Sequence, residues 1–366
     1  MPKGILRRST KFHAVDMRFC VGNHGGSMKN LQILDCTLRD GAQVNEARFG
    51  ERAIRDIMDN LTRAGVDIIE CGFLKDCEYE SGRTYYPQPS YAVSYMPQKD
   101  RNVIYAALMD YGRYDVDKLE PYDGKSFDLI RISFFEKDVD QVISFIQKVI
   151  DKGYRVSMQP MDTFSYSDDN IRKVIEVANT LRLEVLSMVD TYSLATTNDI
   201  ERVYEFYKEK LDKNVKIGFH SHNNQLNSFA LAQHFIKISE PERNLVIDCS
   251  MYGMGRGGGN LNTELFAEYL NRQEMKHYQM KYILDMIDTY LVKFKKDFEW
   301  GYSIPMMYAG IYGVHVFTTN YLANKPNVTS YDLKCMFEML DGHKKKRYDY
   351  DYLDFIYEQY IGGRGK

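Results

Sequence analysis

Residues 34–43 read LDCTLRDGAQ. The stretch opens as an apolar strand and stops abruptly on Thr37, Arg39, Asp40 and a glycine. A strand that is buried along its length and ends by presenting a cation and an anion side by side places its chemistry at its C-terminal end. Working outward, the same arrangement recurs. Short runs rich in Val, Ile and Phe lie at 31–37, 66–73, 102–109, 129–135, 155–161, 184–190, 215–222 and 245–253. Longer segments of helical periodicity lie between them, such as 51–65 and 139–153, both closing on Gly.

Eight β/α units over roughly 240 residues fit a (β/α)₈ TIM barrel. An open doubly wound sheet is the rival for alternating strands and helices. The placement of polar residues separates the two. Arg39 and Asp40 follow strand 1, and Glu70 lies near the end of strand 2. Asp162 and Asp190 follow strands 5 and 6, while His220 and His222 close strand 7. The opposite strand ends carry no such set, and barrels keep catalytic groups on the C-terminal face. Beyond about residue 270 the alternation gives way to helical stretches at 280–298, 304–325 and 329–340. The expected organisation is therefore a leader over 1–27, a barrel over 28–270 and a helical lid or partner domain over 271–366.

The 366 residues carry a net charge of −3, with 44% hydrophobic and 27% charged residues, a globular composition that gives no reason to expect nucleic acid or membrane as partner. Six scattered cysteines without a CxxC pair suit reduced thiols and a cytoplasmic protein. No apolar run approaches the ~18 residues of a membrane helix.

GFHSHNN (218–224) sets two histidines at i and i+2, on one face of a strand. Strands 1 and 7 flank strand 8 in a closed barrel, so Asp40, His220 and His222 are expected to converge on a divalent metal. Two imidazoles, one carboxylate and no thiolate lean toward Mn²⁺, Mg²⁺ or Zn²⁺. GMGRGGGN (253–260) contains a formal GxGxxG. That motif marks dinucleotide binding at a first βα turn, and this one sits at the eighth. Three consecutive glycines imply a loop whose backbone approaches a ligand closely, with Asn260 in reach of metal or substrate. Asp190 and Thr191 either shape the pocket and bind substrate or cap a helix. Arg131 and Asp162 either line the pocket or, the favoured expectation, pair with each other across the barrel, and His234 and His315 are expected to serve packing. The Tyr-rich stretch 80–97 is either a specificity loop or a subunit contact.

Arg39-Asp40-Gly41, His-x-His and GMGRGGGN, in this order, resemble the metal-dependent DRE-TIM lyase and aldolase barrels. These include hydroxymethylglutaryl-CoA lyase, isopropylmalate synthase and 4-hydroxy-2-oxovalerate aldolase. MMYAGIYG (306–313) and the segment 331–346 resemble the helical domain of the hydroxy-oxovalerate aldolases. The resemblance implies an aldolase or lyase that works through an enolate of a 2-oxo acid such as pyruvate, with an aldehyde as partner substrate. It implies Asp40, His220 and His222 as metal ligands, Arg39 on the substrate carboxylate, Glu70 near the reacting carbon, and Asn260 as a ligand in some members. Those aldolases often work beside an aldehyde dehydrogenase, and a homo-oligomer is expected. One position departs: the aldolases' base histidine is replaced by Gln43, as in the lyase and synthase branches. Glu70, Tyr308 or a bound water would then handle the proton. An acyl-CoA-dependent condensing enzyme and a catalytically silent binding barrel are the rival expectations.

Overall fold

The structure, a computed structural model, describes residues 30–97 and 102–363. The expected leader and Cys20 lie outside those residues. Among the described residues nine strands are present: β1 (Leu31–Asp35), β2 (Ile68–Leu74), β3 (Tyr85–Tyr86), β4 (Ile104–Asp110), β5 (Leu129–Phe134), β6 (Arg155–Pro160), β7 (Val185–Asp190), β8 (Lys216–Ser221) and β9 (Leu245–Cys249). All pairings between them are parallel, and β1 bonds to both β9 and β2. Eight strands therefore close into the expected barrel, with β3 a two-residue addition outside β2. The sequence pattern located each barrel strand to within a few residues.

Six α-helices return the chain between or after barrel strands: α1 (Glu51–Ala64), α2 (Val142–Asp151), α3 (Asp168–Thr180), α4 (Thr197–Lys210), α5 (Ser228–Ile238) and α6 (Thr263–Arg272). Eight were expected. Among the described residues, the connections from β2 to β4 and from β4 to β5 contain only short 3₁₀ turns, Pro89–Tyr95 and Val116–Lys118. Both segments are punctuated by Pro and Gly (Pro87, Pro89, Gly112, Pro121, Gly124) and lack an apolar stripe of helical period. Their tyrosines pack instead: the Tyr79 hydroxyl meets that of Tyr95 at 3.0 Å, and Tyr86 is fully buried near Phe127.

Side-chain alternation along the strands builds the barrel interior in layers. Leu34, Ile68, Ala106, Leu129, Val185 and Val246 form one apolar cluster. Two residues further along their strands, on the same face, stand Glu70, Arg131 and Asp248. Gly218 belongs here because a Cβ on it would lie 2.1 Å from Ser187 Oγ. The larger core lies outside the barrel wall, against the helices.

Asp35 ends β1 buried, accepting hydrogen bonds from Thr37 N at 2.9 Å and Thr263 Oγ1 at 2.6 Å. Burial outweighs those bonds and raises its carboxyl to about 6. The folded protein thus keeps this proton to about pH 6, whereas an unfolded chain releases it near pH 4. The contribution is fully present below about pH 4 and falls away as pH rises to 6, by about 3 kcal/mol. Asp35→Asn is expected to remove that slope, read as the difference between mutant and wild-type unfolding free energies from pH 4 to 7. A parallel pair of curves would refute the assignment.

After the barrel, α7 (Met280–Met286) runs through a π turn (Ile287–Leu291) into α8 (Val292–Asp297). Its apolar side (Ile283, Met286, Leu291) joins the barrel's outer core. A second small core, built on Val314, Leu322, Leu333, Phe337 and Leu353, belongs to α9 (Ile304–Tyr312), α10 (Val316–Ala323), α11 (Ser330–Met339), α12 (Gly342–Lys345) and α13 (Tyr350–Gly363). The helix expected over 304–325 is two helices. Gly313 takes a left-handed φ of 65° and ends α9, and the His315 side chain caps α10 by accepting from Phe317 N at 3.1 Å. That break brings His315 to the mouth of the barrel.

Candidate active site

A cavity of about 500 Å³ opens at the C-terminal ends of the strands. Arg39, Asp40, Gln43, Thr191, His220, His222, Arg256 and His315 are among the residues that line it. Asp40, His220 and His222 present one ligand atom each, all within 4.8 Å of one another. Asp40 Oδ2 lies 3.5 Å from His222 Nε2 and 4.0 Å from His220 Nε2. Ligands held ~2.0–2.2 Å from one ion stand roughly 3–4 Å apart, so the spacing fits a divalent metal.

The outer nitrogens support the same reading. His220 Nδ1 is 2.9 Å from Asp248 Oδ2, and His222 Nδ1 is 3.1 Å from the Asp190 carbonyl. Each Nδ1 with an acceptor partner carries the ring proton and leaves Nε2 with a lone pair for an ion. Burial lowers the His220 pKa, with His222 and Arg39 adding to it against the pull of Asp248. Burial alone would raise Asp40, but Arg39 and the two histidines hold it well below the usual carboxylate range. With each Nδ1 turned to an acceptor, the two Nε2 atoms and the Asp40 carboxylate face one another, the donor set a divalent metal takes. Asn260 lies beside them, donating from Nδ2 to Asp40 Oδ2 at 2.6 Å, with its Oδ1 buried and unpartnered. Gly255 is required at this spot: a Cβ there would meet Asn260 Nδ2 at 2.3 Å. The glycine loop's close approach is to the site's own side chains.

Arg39 donates from Nε to Glu70 Oε2 at 2.6 Å and from Nη1 to Asp40 Oδ1 at 3.0 Å. Among the described residues, nothing pairs with its Nη2. Glu70 is fully buried, and its other oxygen meets Arg131 Nη1 at 2.9 Å. Arg131 continues to Gln159 at 2.9 Å and to Asp248, which holds His220. A buried charge chain, Arg39–Glu70–Arg131–Asp248–His220, therefore crosses the barrel and joins Arg39 to a member of the candidate metal cluster. Glu70, engaged by two guanidinium groups and away from the cavity surface, positions Arg39.

Other expectations change in the structure. Arg131 does not pair with Asp162; it faces Glu70 and Asp248. Asp162 pairs with Lys346, which also reaches Ser165 Oγ at 3.0 Å and ties α12's end to the barrel. Tyr308 is not among the cavity-lining residues and packs on the second core near Tyr312. His315 does line the cavity, flanked by the rings of Tyr192, Phe317 and Tyr348. Its Nδ1 accepts from Phe317 N, so the neutral ring keeps its proton on Nε2. Burial, aided by Arg256, Arg113 and His222, lowers its pKa to about 4. Thr191 lines the cavity and its Oγ1 accepts from Asp162 N at 2.8 Å. Asp190 caps Leu194 N at 2.8 Å, leaves Oδ2 buried without a hydrogen-bond partner, and is pushed up to about 6 by burial. His234 pairs with Glu201 at 2.9 Å, away from the cavity. The sequence reading missed Asp248 as a functional group. Its signal was present: a lone charge inside the apolar run LVIDC, like Glu70 in IIECGFL and Arg131 in LIRISF.

Residues 122–289 match the HMGL-like family model. A 4-hydroxy-2-oxovalerate aldolase of Bacillus thuringiensis is 24% identical over 314 residues, covering 84% of this chain and 90% of that one. An oxaloacetate decarboxylase of Mycobacterium tuberculosis is 24% identical over 243 residues, covering 66% of this chain and 70% of the other. The N-terminal domain of a candidate aldolase from Bacteroides vulgatus superposes with a TM-score of 0.68 at 21% identity, over 81% of this chain and 98% of that one. The HMG-CoA lyase of Bacillus subtilis gives 0.57 at 16%, over 73% and 94%. These structural likenesses bear on the fold alone. Among the described residues, no helix is long and apolar enough to cross a membrane.

Proposed function

We propose that the site is that of a carbon–carbon lyase of the aldolase type, which breaks or forms the bond between C3 of a 2-oxo acid such as pyruvate and an aldehyde carbon. The observation that carries this is the Asp40, His220 and His222 cluster with Arg39 on the wall of the same cavity. A divalent ion (Mn²⁺, Mg²⁺ or Zn²⁺) held there supplies Lewis-acid polarisation of a keto oxygen. Arg39, fixed by Glu70 and Asp40, offers Nη2 to the substrate's carboxylate. In the cleavage direction a 4-hydroxy-2-oxo acid loses its hydroxyl proton to solvent, and the C3–C4 electron pair moves to C3. The aldehyde departs, and C3 takes up a proton from solvent to give the 2-oxo acid. His315, with its proton on Nε2, is the hydrogen-bond donor we assign to the aldehyde oxygen. Gln43 lines the cavity as a hydrogen-bonding group and accepts no proton at neutral pH.

Gln43 also favours a second reading. Decarboxylation of a 3-carboxylated 2-oxo acid yields the same enolate without any initial proton removal, and an oxaloacetate decarboxylase is among the relatives. Exchange of pyruvate methyl protons in D₂O, followed by NMR with added Mg²⁺, Mn²⁺ or Zn²⁺ and with chelator, separates the two. Ion-dependent exchange supports the aldolase reading. Its absence, with CO₂ released from oxaloacetate, supports the decarboxylase. Absence of both, with thiol released from an acyl-CoA in the presence of a 2-oxo acid, would replace either with a condensing enzyme.

A further inference from the structure

The cavity is larger and more cationic than a three-carbon acid and a small neutral aldehyde require. Volumes of ~300–1,000 Å³ enclose drug-sized ligands, and this one is about 500 Å³. Arg39 and Asp40, at the proposed metal end, are paired with each other. The remaining charged lining residues are four cations, Lys75, Arg113, Lys137 and Arg256, against two carboxylates, Asp110 and Asp138. Arg113 is 3.6 Å from Asp110. Among the described residues, no carboxylate lies within salt-bridge distance of Lys75, Lys137 or Arg256. Lys75 is held over the Tyr85 ring at 4.3 Å and Arg256 over Phe317 at 5.7 Å, so two of the three are propped against aromatic faces. They follow β2, β5 and β9 and so come at the mouth from separate strands. Unpaired cations around a cleft with protein walls focus a positive potential inside it.

We infer that the aldehyde substrate carries an anionic oxygen group, a carboxylate or a phosphate, at the end remote from its carbonyl. This rests on the aldol reading: the 2-oxo acid lies at the Asp40 end and the aldehyde's tail extends toward Lys75 and Lys137. The reaction itself is unchanged by the tail, since the charged group neither forms nor breaks a bond.

The test uses unreactive probes on the whole protein by calorimetry at low ionic strength. Glycerol 3-phosphate is compared with glycerol, and 4-hydroxybutanoate with butane-1,4-diol, in wild type and in Lys75→Ala/Lys137→Ala. The anionic member of at least one pair is expected to bind roughly tenfold more tightly, and the gap to close in the double variant. The pair with the wider gap identifies phosphate or carboxylate. Equal affinity for charged and neutral probes in wild type overturns the inference. So does a preference that survives in the double variant, because the anion would then be bound at the metal end. Pyruvate exchange is measured alongside. If it is absent while the charge preference is present and lost in the variant, the aldol reading fails and the anion-binding end of the cavity stands.

Discussion

Asp40→Asn is expected to lower turnover by roughly 10²–10³-fold or more while leaving the barrel folded. Asp40 is the hub of the site: its Oδ2 faces both His Nε2 atoms and Asn260, and its Oδ1 receives Arg39. The amide would keep the size of the side chain and remove the negative charge that draws a cation in beside the two imidazoles. An ion at 100 times its dissociation constant stabilises a folded protein by ~2.7 kcal/mol. Wild type should therefore gain thermal stability on titration with Mn²⁺ or Zn²⁺, and the Asn variant should gain little. That reading is independent of any assumed substrate. Turnover within tenfold of wild type, or an undiminished ion-dependent rise in melting temperature, would remove Asp40 from the metal site.

Much of this site was legible because barrel chemistry follows a positional rule. Chain order and strand ends alone placed Arg39, Asp40, His220 and His222 on one rim, since parallel strands all point their C-terminal ends the same way. Period-two alternation then set both histidines inward. What remained hidden depended on long-range partners. Glu70 reads in sequence as near a strand end, like a catalytic acid, but it lies inside β2 and is clamped between Arg39 and Arg131. Arg131 and Asp162 were natural partners by charge, yet Lys346, arriving from 184 residues away, takes Asp162. His315 was concealed by an apolar segment that reads as one continuous helix. The left-handed turn at Gly313 splits it and turns the imidazole toward the cavity. Tyr308, the fifth residue of α9, packs on the second core instead.

The missing base has a related logic. A histidine at position 43 would stand on the rim with Asp40, His220 and His222. Gln43 keeps the hydrogen bonding and gives up the proton transfer. That suits either a reaction that begins with bond cleavage or one whose proton is handled by another group of the cavity. His315, on an element outside the barrel, lines the same cavity. The break between α9 and α10 therefore has a chemical consequence as well as a structural one.

Arg131→Met is expected to cost about 3–5 kcal/mol of folding stability, the usual penalty for breaking a buried pair from one side. The side chain is 2% exposed at the centre of the charge chain and touches Glu70, Gln159 and Asp248. In wild type two arginines, Arg39 and Arg131, face three carboxylates, Asp40, Glu70 and Asp248, so the described chain carries a net charge of −1. Removing Arg131 raises the excess to −2 in a space closed to water. Methionine fills much of the volume, so the loss reports charge rather than a cavity. The sign of the imbalance adds a second expectation. A divalent cation bound beside Asp40 offsets negative charge, so it should stabilise the Met variant by more than it stabilises wild type. Urea unfolding of both proteins, with and without saturating ion, measures the two effects together. A cost below about 1 kcal/mol would mean the arginine is not pairing those carboxylates. A large cost with no extra gain from the ion would mean that the chain and the metal site are electrostatically separate.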